Sequence, residues 1–307
     1  MFRSRAGIRQ LKCFYSRLSL IDKQLIKDMK KLIFGVFACL MMMPACTTEP
    51  ENTEPEEVYN RELTYSYTKA EDGINMEVFL PTEEKNIKVA VIACPGGSYS
   101  SHADHEGAVW APYFNDLGIA FAVLKYTLPN GDPNKPVADM EAALTLFHEM
   151  ADKWLIDKSK IGVMGFSAGG HLACYSATAS DFDSDIRPDF QVLIYPVTTM
   201  SSGTHAGSRD NFLGAGSSNE VQMFYSNEFW VSSDTPKAFI SYAKSETVVP
   251  PSSNGQAFYN AMIKAGAQAE CLPIDGNRHG WHHSNSDHVK QYLTPLKEKL
   301  TPWLLGL

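Results

Sequence analysis

The chain is 307 residues long, with 27 Lys+Arg against 35 Asp+Glu and a formal charge of −8. An apolar share of 44% with only 20% charged residues can bury a full core, which excludes wholesale disorder, and the length suits one large domain or two small ones. The acidic balance argues against a nucleic-acid partner, which needs a basic footprint, and six Cys are too few for a disulfide scaffold.

The charge is unevenly spread. Residues 1–46 hold nine basic residues and two acids, so the rest carries 18 Lys+Arg against 33 Asp+Glu, a formal charge of −15. Met29-Lys30-Lys31 is followed by an uncharged run over residues 32–45 (LIFGVFACLMMMPA) and by Cys46. A basic start, a short apolar stretch and small residues at the cut mark a secretory signal over 29–45. The run is too short for a spanning helix, which needs about 20 residues. Met29 suits a start position, which would make 1–28 an upstream extension; a genuine longer basic n-region starting at Met1 is the other reading. Met43-Pro44-Ala45-Cys46 resembles a bacterial lipobox. That resemblance implies lipidation of Cys46 and a place in the cell envelope, facing the periplasm or the exterior. Membrane contact is then through the lipid anchor alone. Residues 47–57 (TTEPENTEPEE) read as an extended acidic tether, placed over 46–60, ahead of a single domain over 61–307.

Within that domain, residues 63–67 and 74–80 suit antiparallel edge strands. Short apolar runs follow at 88–94 (KVAVIAC), 119–126 (IAFAVLKY), 160–166 (KIGVMGF), 190–197 (FQVLIYPV), 238–242 (AFISY) and 270–274 (ECLPI). Near-continuous apolar runs fit parallel strands buried on both faces. Helical patterns lie between them at 137–154, 168–179, 253–265 and 287–305. The alternation predicts an α/β fold with a mostly parallel central sheet and helices on both faces.

The chemistry gathers at strand ends. Gly165-Phe166-Ser167-Ala168-Gly169 follows the KIGVMGF strand and opens a helix, the context a G-x-S-x-G nucleophile elbow requires. Ser167 is the candidate nucleophile. The turn is sharp, and the following helix start offers N–H groups and a positive dipole end to a developing oxyanion. Cys94-Pro95-Gly96-Gly97-Ser98-Tyr99 ends an earlier strand, where a second oxyanion donor belongs. The N–H of Gly97 or Ser98 is expected to act with that of Ala168. His279, after ECLPI, is the expected base. His171 falls on the nucleophile's own helix, pointing along it, and reads as structural. His102 and His105 are placed to line the pocket, and His282, His283 and His288 to lie on the surface. After AFISY the one carboxylate is Glu246, which can orient a His as Asp does. Tyr99 and Trp281, next to these groups, are expected to contact substrate. No spacing suggests a metal and no cofactor is needed. Cys94, Cys174 and Cys271 are expected to be free thiols.

With these residues the chain resembles α/β-hydrolases of the esterase/lipase superfamily, in particular the bacterial acetylxylan- and feruloyl-esterase-like group. The matching stretches are CPGGSYSSHADHEG, IGVMGFSAGGHLA, RPDFQVLIYPV, THAGSRDNFLG, the TVVPP loop and the HGW end. The group usually has two adjacent Asp before VVP, where this chain has Ser245 and Glu246. Its usual HGFG end is HGWH here. The resemblance implies a serine carboxylesterase acting on short acyl, chiefly acetyl, esters of a polysaccharide or oligosaccharide. Other readings stay open at this stage: a feruloyl or other carboxylesterase, a peptidase of prolyl-oligopeptidase type, and a glycan-binding lipoprotein on a decayed hydrolase scaffold.

Overall fold

The computed structural model describes residues 65–68, 74–281 and 287–307, all within one compact unit spanning Glu57–Leu307. The expected signal, Cys46, the tether, His282 and His283 lie outside the described residues, as does the side chain of His288.

Eight strands form one sheet: β1 Tyr65–Thr68, β2 Asn75–Phe79, β3 Ala90–Cys94, β4 Ala120–Leu124, β5 Ile161–Phe166, β6 Phe190–Ile194, β7 Lys237–Ala243 and β8 Ala269–Ile274. Their spatial order is β1-β2-β4-β3-β5-β6-β7-β8. β1, β2 and β4 pair antiparallel, and every pairing from β4 through β3 to β8 is parallel. The parallel part needs crossover helices, and these cover both faces. The crossovers carry α1 Ala111–Asp116, α2 Asn134–Met150, α3 Ser167–Thr178, α4 Ala206–Leu213, α5 Asn219–Phe224 and α6 Gly255–Ala265, and α7 Asp287–Leu305 follows the last strand.

Alternation along the strands feeds two cores. On β3, Ala90, Ile92 and Cys94 face one layer, with Met140, Leu144 and Phe147 of α2, Leu172 of α3, and Phe258 and Met262 of α6. Val91 and Ala93 face the other, with Phe114 of α1 and Tyr292, Leu296, Leu300 and Leu304 of α7. Hence β3, β4, β5 and β6 are buried along their whole length, which explains their unbroken apolar sequences. Cys94 and Cys174 are buried free thiols, and Cys271 is half-buried and free.

Candidate active site

The elbow is built as its glycines demand. Ser167 directly follows β5 and has φ +50°, a left-handed conformation that strains a residue with a side chain. Glycines around it give the turn room. A Cβ on Gly165 would overlap the Gly169 carbonyl, and one on Gly169 would overlap the Cys94 and Pro95 carbonyls. A Cβ on Gly170 would sit 2.7 Å from the Pro196 ring. Ser167 is thereby held at the carboxyl end of β5, 8% exposed, as the first residue of α3.

Three side chains from beyond the ends of three strands then meet in a line. Ser167 Oγ lies 2.8 Å from His279 Nε2, and His279 Nδ1 lies 2.8 Å from Glu246 Oε1. His279 follows β8, and Glu246 follows β7 with a fully buried side chain. Glu246 Oε1 also accepts the Val249 N–H at 3.0 Å. Because a carboxylate only accepts, Nδ1 of His279 carries a proton, which leaves Nε2 free to accept from the Ser167 hydroxyl. The three side chains thus stand in the relative arrangement that a Ser-His-carboxylate triad requires.

The loop after β3 packs directly beside Ser167. A Cβ on Gly96 would lie 2.9 Å from Ser167 Cβ. Gly97 and Ser98 have φ of +121° and +57°. The Gly97 carbonyl accepts the N–H groups of Ser100 and Ser101. No acceptor among the described residues takes the N–H of Gly97 or Ser98. Ala168 is in the first turn of α3, where N–H groups have no intrahelical acceptor. Gly97, Ser98 and Ala168 therefore offer donors on the Ser167 side of the sheet. Asn211 of α4 fastens the loop by donating from Nδ2 to the Ser98 carbonyl at 2.9 Å.

Tyr99 and Trp281 do not line an open pocket, contrary to the expectation from sequence. Both are fully buried. Tyr99 has φ +61°, which turns its side chain under the loop, where it stacks on Phe212 at 4.6 Å. Trp281 stacks on Tyr292 of α7 at 5.3 Å. Their work is packing beneath the site.

His171 is structural, as its place on the helix suggests. Its Nε2 donates to the Tyr225 carbonyl at 2.7 Å, so its Nδ1 accepts the Tyr99 hydroxyl at 2.9 Å. Complete burial lowers its pKa to about 4. His102 packs its edge on Tyr126, with burial lowering its pKa, and His105 lies 3.7 Å from Glu106. Two groups escaped sequence reasoning. Glu106, 3% exposed, accepts the Gly96 N–H at 2.7 Å and the Tyr195 hydroxyl at 2.8 Å. Tyr195 in turn sets its ring 4.9 Å from that of His279. Glu106 lies in the HADHEG stretch, where the sequence shows a carboxylate but not its burial. A cavity of about 340 Å³ lined by Lys237, Ala269, Glu270 and Trp303 opens at the amino ends of β7 and β8, the opposite end of the sheet from Ser167.

The BD-FAE family model matches residues 76–262, which include Gly97, Ser167 and Glu246 but stop short of His279. The chain belongs to the BD-FAE family. An acetylxylan esterase of Xylanibacter ruminicola is 35% identical over 223 residues, covering 71% of this chain and 46% of that protein. Endo-1,4-beta-xylanase B of Butyrivibrio fibrisolvens is 33% identical over 227 residues, covering 69% of this chain and 34% of that protein. The chain thus spans less than half the length of these curated relatives. Among solved structures, the acetyl ester-xyloside bifunctional hydrolase of Caldicellulosiruptor lactoaceticus superposes with a TM-score of 0.68 at 28% identity, covering 76% of this chain and 88% of that one. Esterase 2 of Thermogutta terrifontis shares the fold, with a TM-score of 0.64 at 21% identity over 80% of this chain and 91% of its own. This BD-FAE chain has the α/β-hydrolase fold, a mostly parallel sheet with helices on both faces.

Proposed function

We propose that this BD-FAE chain is a serine carboxylesterase that removes short acyl groups, chiefly acetyl, from xylan-type polysaccharide or its oligomers. The observation that carries the reading is the unbroken line from strained Ser167 through His279 to buried Glu246, with both links at 2.8 Å. The same line disfavours a decayed glycan-binding scaffold. Support for acetyl esters comes from the acetylxylan esterase and the acetyl ester-xyloside hydrolase among its relatives. The slight exposure of Ser167 also favours a small acyl group.

Ser167 Oγ attacks the ester carbonyl while its proton passes to His279 Nε2. Glu246 holds the imidazole ring and stabilises the imidazolium that forms. The carbonyl oxygen becomes an oxyanion, which the N–H groups of Ala168 and of Gly97 or Ser98 stabilise. His279 returns the proton to the departing sugar oxygen, leaving an acyl-Ser167. Water, deprotonated by His279, attacks the acyl-enzyme, and acetate departs as Ser167 recovers its proton. Acetate release from acetylated xylan, run beside methyl ferulate and a dipeptide anilide, tests the reading. Faster turnover of either alternative would redirect it to a feruloyl esterase or a peptidase.

We further propose that Cys46 is lipidated and anchors the enzyme in the cell envelope. The support is the basic-apolar-Cys order of residues 29–46 and the acidic stretch after it. Replacing Cys46 by Ser should move the protein from the membrane fraction to the soluble one. An unchanged distribution would refute the anchor.

A further inference from the structure

Glu106 is a carboxylate placed where burial alone would exclude one. It lies in a single turn, Asp104–Glu106, just after the loop that carries Gly97 and Ser98. Burial raises its pKa, and hydrogen bonds from Tyr195 and Gly96 oppose that shift. Both of its oxygens are used. Oε2 accepts the Gly96 N–H at 2.7 Å, and Oε1 accepts the Tyr195 hydroxyl at 2.8 Å. The Gly96 carbonyl meanwhile accepts the Ala103 N–H, so Gly96 is held at both its N–H and its carbonyl. A Cβ on Gly96 would stand 2.6 Å from Glu106 Oε2 and 2.9 Å from Ser167 Cβ, so the carboxylate and the nucleophile grip the same backbone point.

Tyr195 continues the connection. It directly follows β6 with φ +38°, an unusual conformation for an aromatic residue. Its ring meets those of His279 and Trp281 edge-on, each at 4.9 Å, and its hydroxyl also lies 3.2 Å from the Trp281 carbonyl. Trp281 is two residues beyond His279, so one hydroxyl touches the chain that carries the base.

Resting on the esterase reading, we infer that Glu106 and Tyr195 are positioning residues. They form a buried clamp that fixes the oxyanion loop relative to the His279 loop. Neither touches the reacting atoms. Glu106 sets the backbone that precedes the Gly97 donor, and Tyr195 passes the constraint to the ring and loop of the base. The chemistry distinguishes two substitutions. In Glu106→Gln the amide oxygen still accepts the Gly96 N–H. Its amide nitrogen donates to the Tyr195 oxygen, whose own proton turns to the Trp281 carbonyl. Glu106→Ala leaves the Gly96 N–H and the Tyr195 hydroxyl without this partner.

The test uses the full-length chain and p-nitrophenyl acetate. Active sites are counted by exhaustive fluorophosphonate labelling, so that kcat is expressed per competent Ser167. The initial labelling rate gives a second readout of the same geometry that needs no ester turnover. Glu106→Ala should lower kcat per site and the labelling rate by at least about 100-fold, as for loss of one oxyanion donor, with KM within about threefold. Glu106→Gln should recover both to within about tenfold of the unaltered chain, and Tyr195→Phe should lower both by about tenfold, the weight of one hydrogen bond. The inference is overturned if Glu106→Ala keeps the original kcat per site, if Gln is no better than Ala, or if Tyr195→Phe is unaffected. Should Glu106→Ala fail to fold, Tyr195→Phe decides alone. An unaltered chain that labels but hydrolyses nothing refutes the esterase reading and leaves the labelling rates to judge the clamp. A chain that does neither refutes both.

Discussion

Replacing Glu246 by Gln separates the two things a triad acid does. Both protein donors that reach this side chain, the Val249 N–H at 3.0 Å and His279 Nδ1 at 2.8 Å, meet the same oxygen, Oε1. A Gln side chain can therefore place its single carbonyl oxygen where Oε1 stands and satisfy both. The imidazole keeps its tautomer, with the proton on Nδ1, and only the negative charge is lost. A carboxylate about 4 Å from an imidazolium is worth on the order of 4 kcal/mol at an effective dielectric of about 20, and an ionised acceptor strengthens a hydrogen bond roughly twofold. Partial charge development in the transition state brings the loss to about 2–4 kcal/mol, or roughly 30- to 1,000-fold in kcat. Glu246→Ala removes the acceptor as well, and should approach the ~10⁴ loss known for triads whose tautomer is wrong. The assay is kcat on p-nitrophenyl acetate for the three proteins at one pH. Equal losses in Gln and Ala would refute the one-oxygen geometry. An unchanged rate in both would remove Glu246 from the mechanism.

Two further substitutions probe the frame. Gly169→Ala drives a methyl group into the backbone carbonyls of Cys94 and Pro95, which cannot swing aside as a side chain would. The expected loss is about 3 kcal/mol, or roughly 6–12 °C in Tm for a domain of this size, and a thermal melt within 1 °C of the original would contradict the steric account. His171 adds a pH dependence of stability. Burial lowers its folded pKa to about 4, below the ordinary value near 6.5, so the unfolded chain binds the extra proton between those two values. Its contribution is complete above pH ~6.5 and is lost as pH falls toward 4, by about 3 kcal/mol at pH 4. Urea midpoints should show this slope in the unaltered protein and a shallower one in His171→Phe, and parallel slopes would refute it.

Much of this architecture is written in local pattern. Unbroken apolar runs mark the parallel strands β3 to β6, because burial on both faces leaves no room for polar alternation, whereas β8 at the sheet edge is half-exposed and carries Glu270. Their ends were harder to read. The run at 190–197 stops as a strand at Ile194, because Tyr195 turns to φ +38° and Pro196 has no N–H to continue a ladder. The short α4 has a polar sequence, AGSRDNFL, with no apolar stripe, and its start is capped by the His205 side chain accepting the Ser208 N–H. Ser167, His279 and Glu246 could be singled out because chain order and strand ends constrain where such residues stand. Chain adjacency misled for Tyr99 and Trp281, since it says nothing about which side of the backbone a residue takes. Glu106 was hidden for a related reason. Its partners, Gly96 and Tyr195, are 10 and 89 positions away, and only the folded sheet brings them to one point.

If Ser167 is the nucleophile of an acyl-enzyme cycle, it must carry the acyl group for part of each turnover. Mass spectrometry of the full-length chain mixed with acetylated xylan and quenched within one turnover measures this directly. The expected result is an adduct of about 42 Da, one acetyl group, on the peptide bearing Ser167, together with released acetate, and neither in Ser167→Ala. Acetate release that persists at the original rate in Ser167→Ala, or an adduct on another residue, would contradict it.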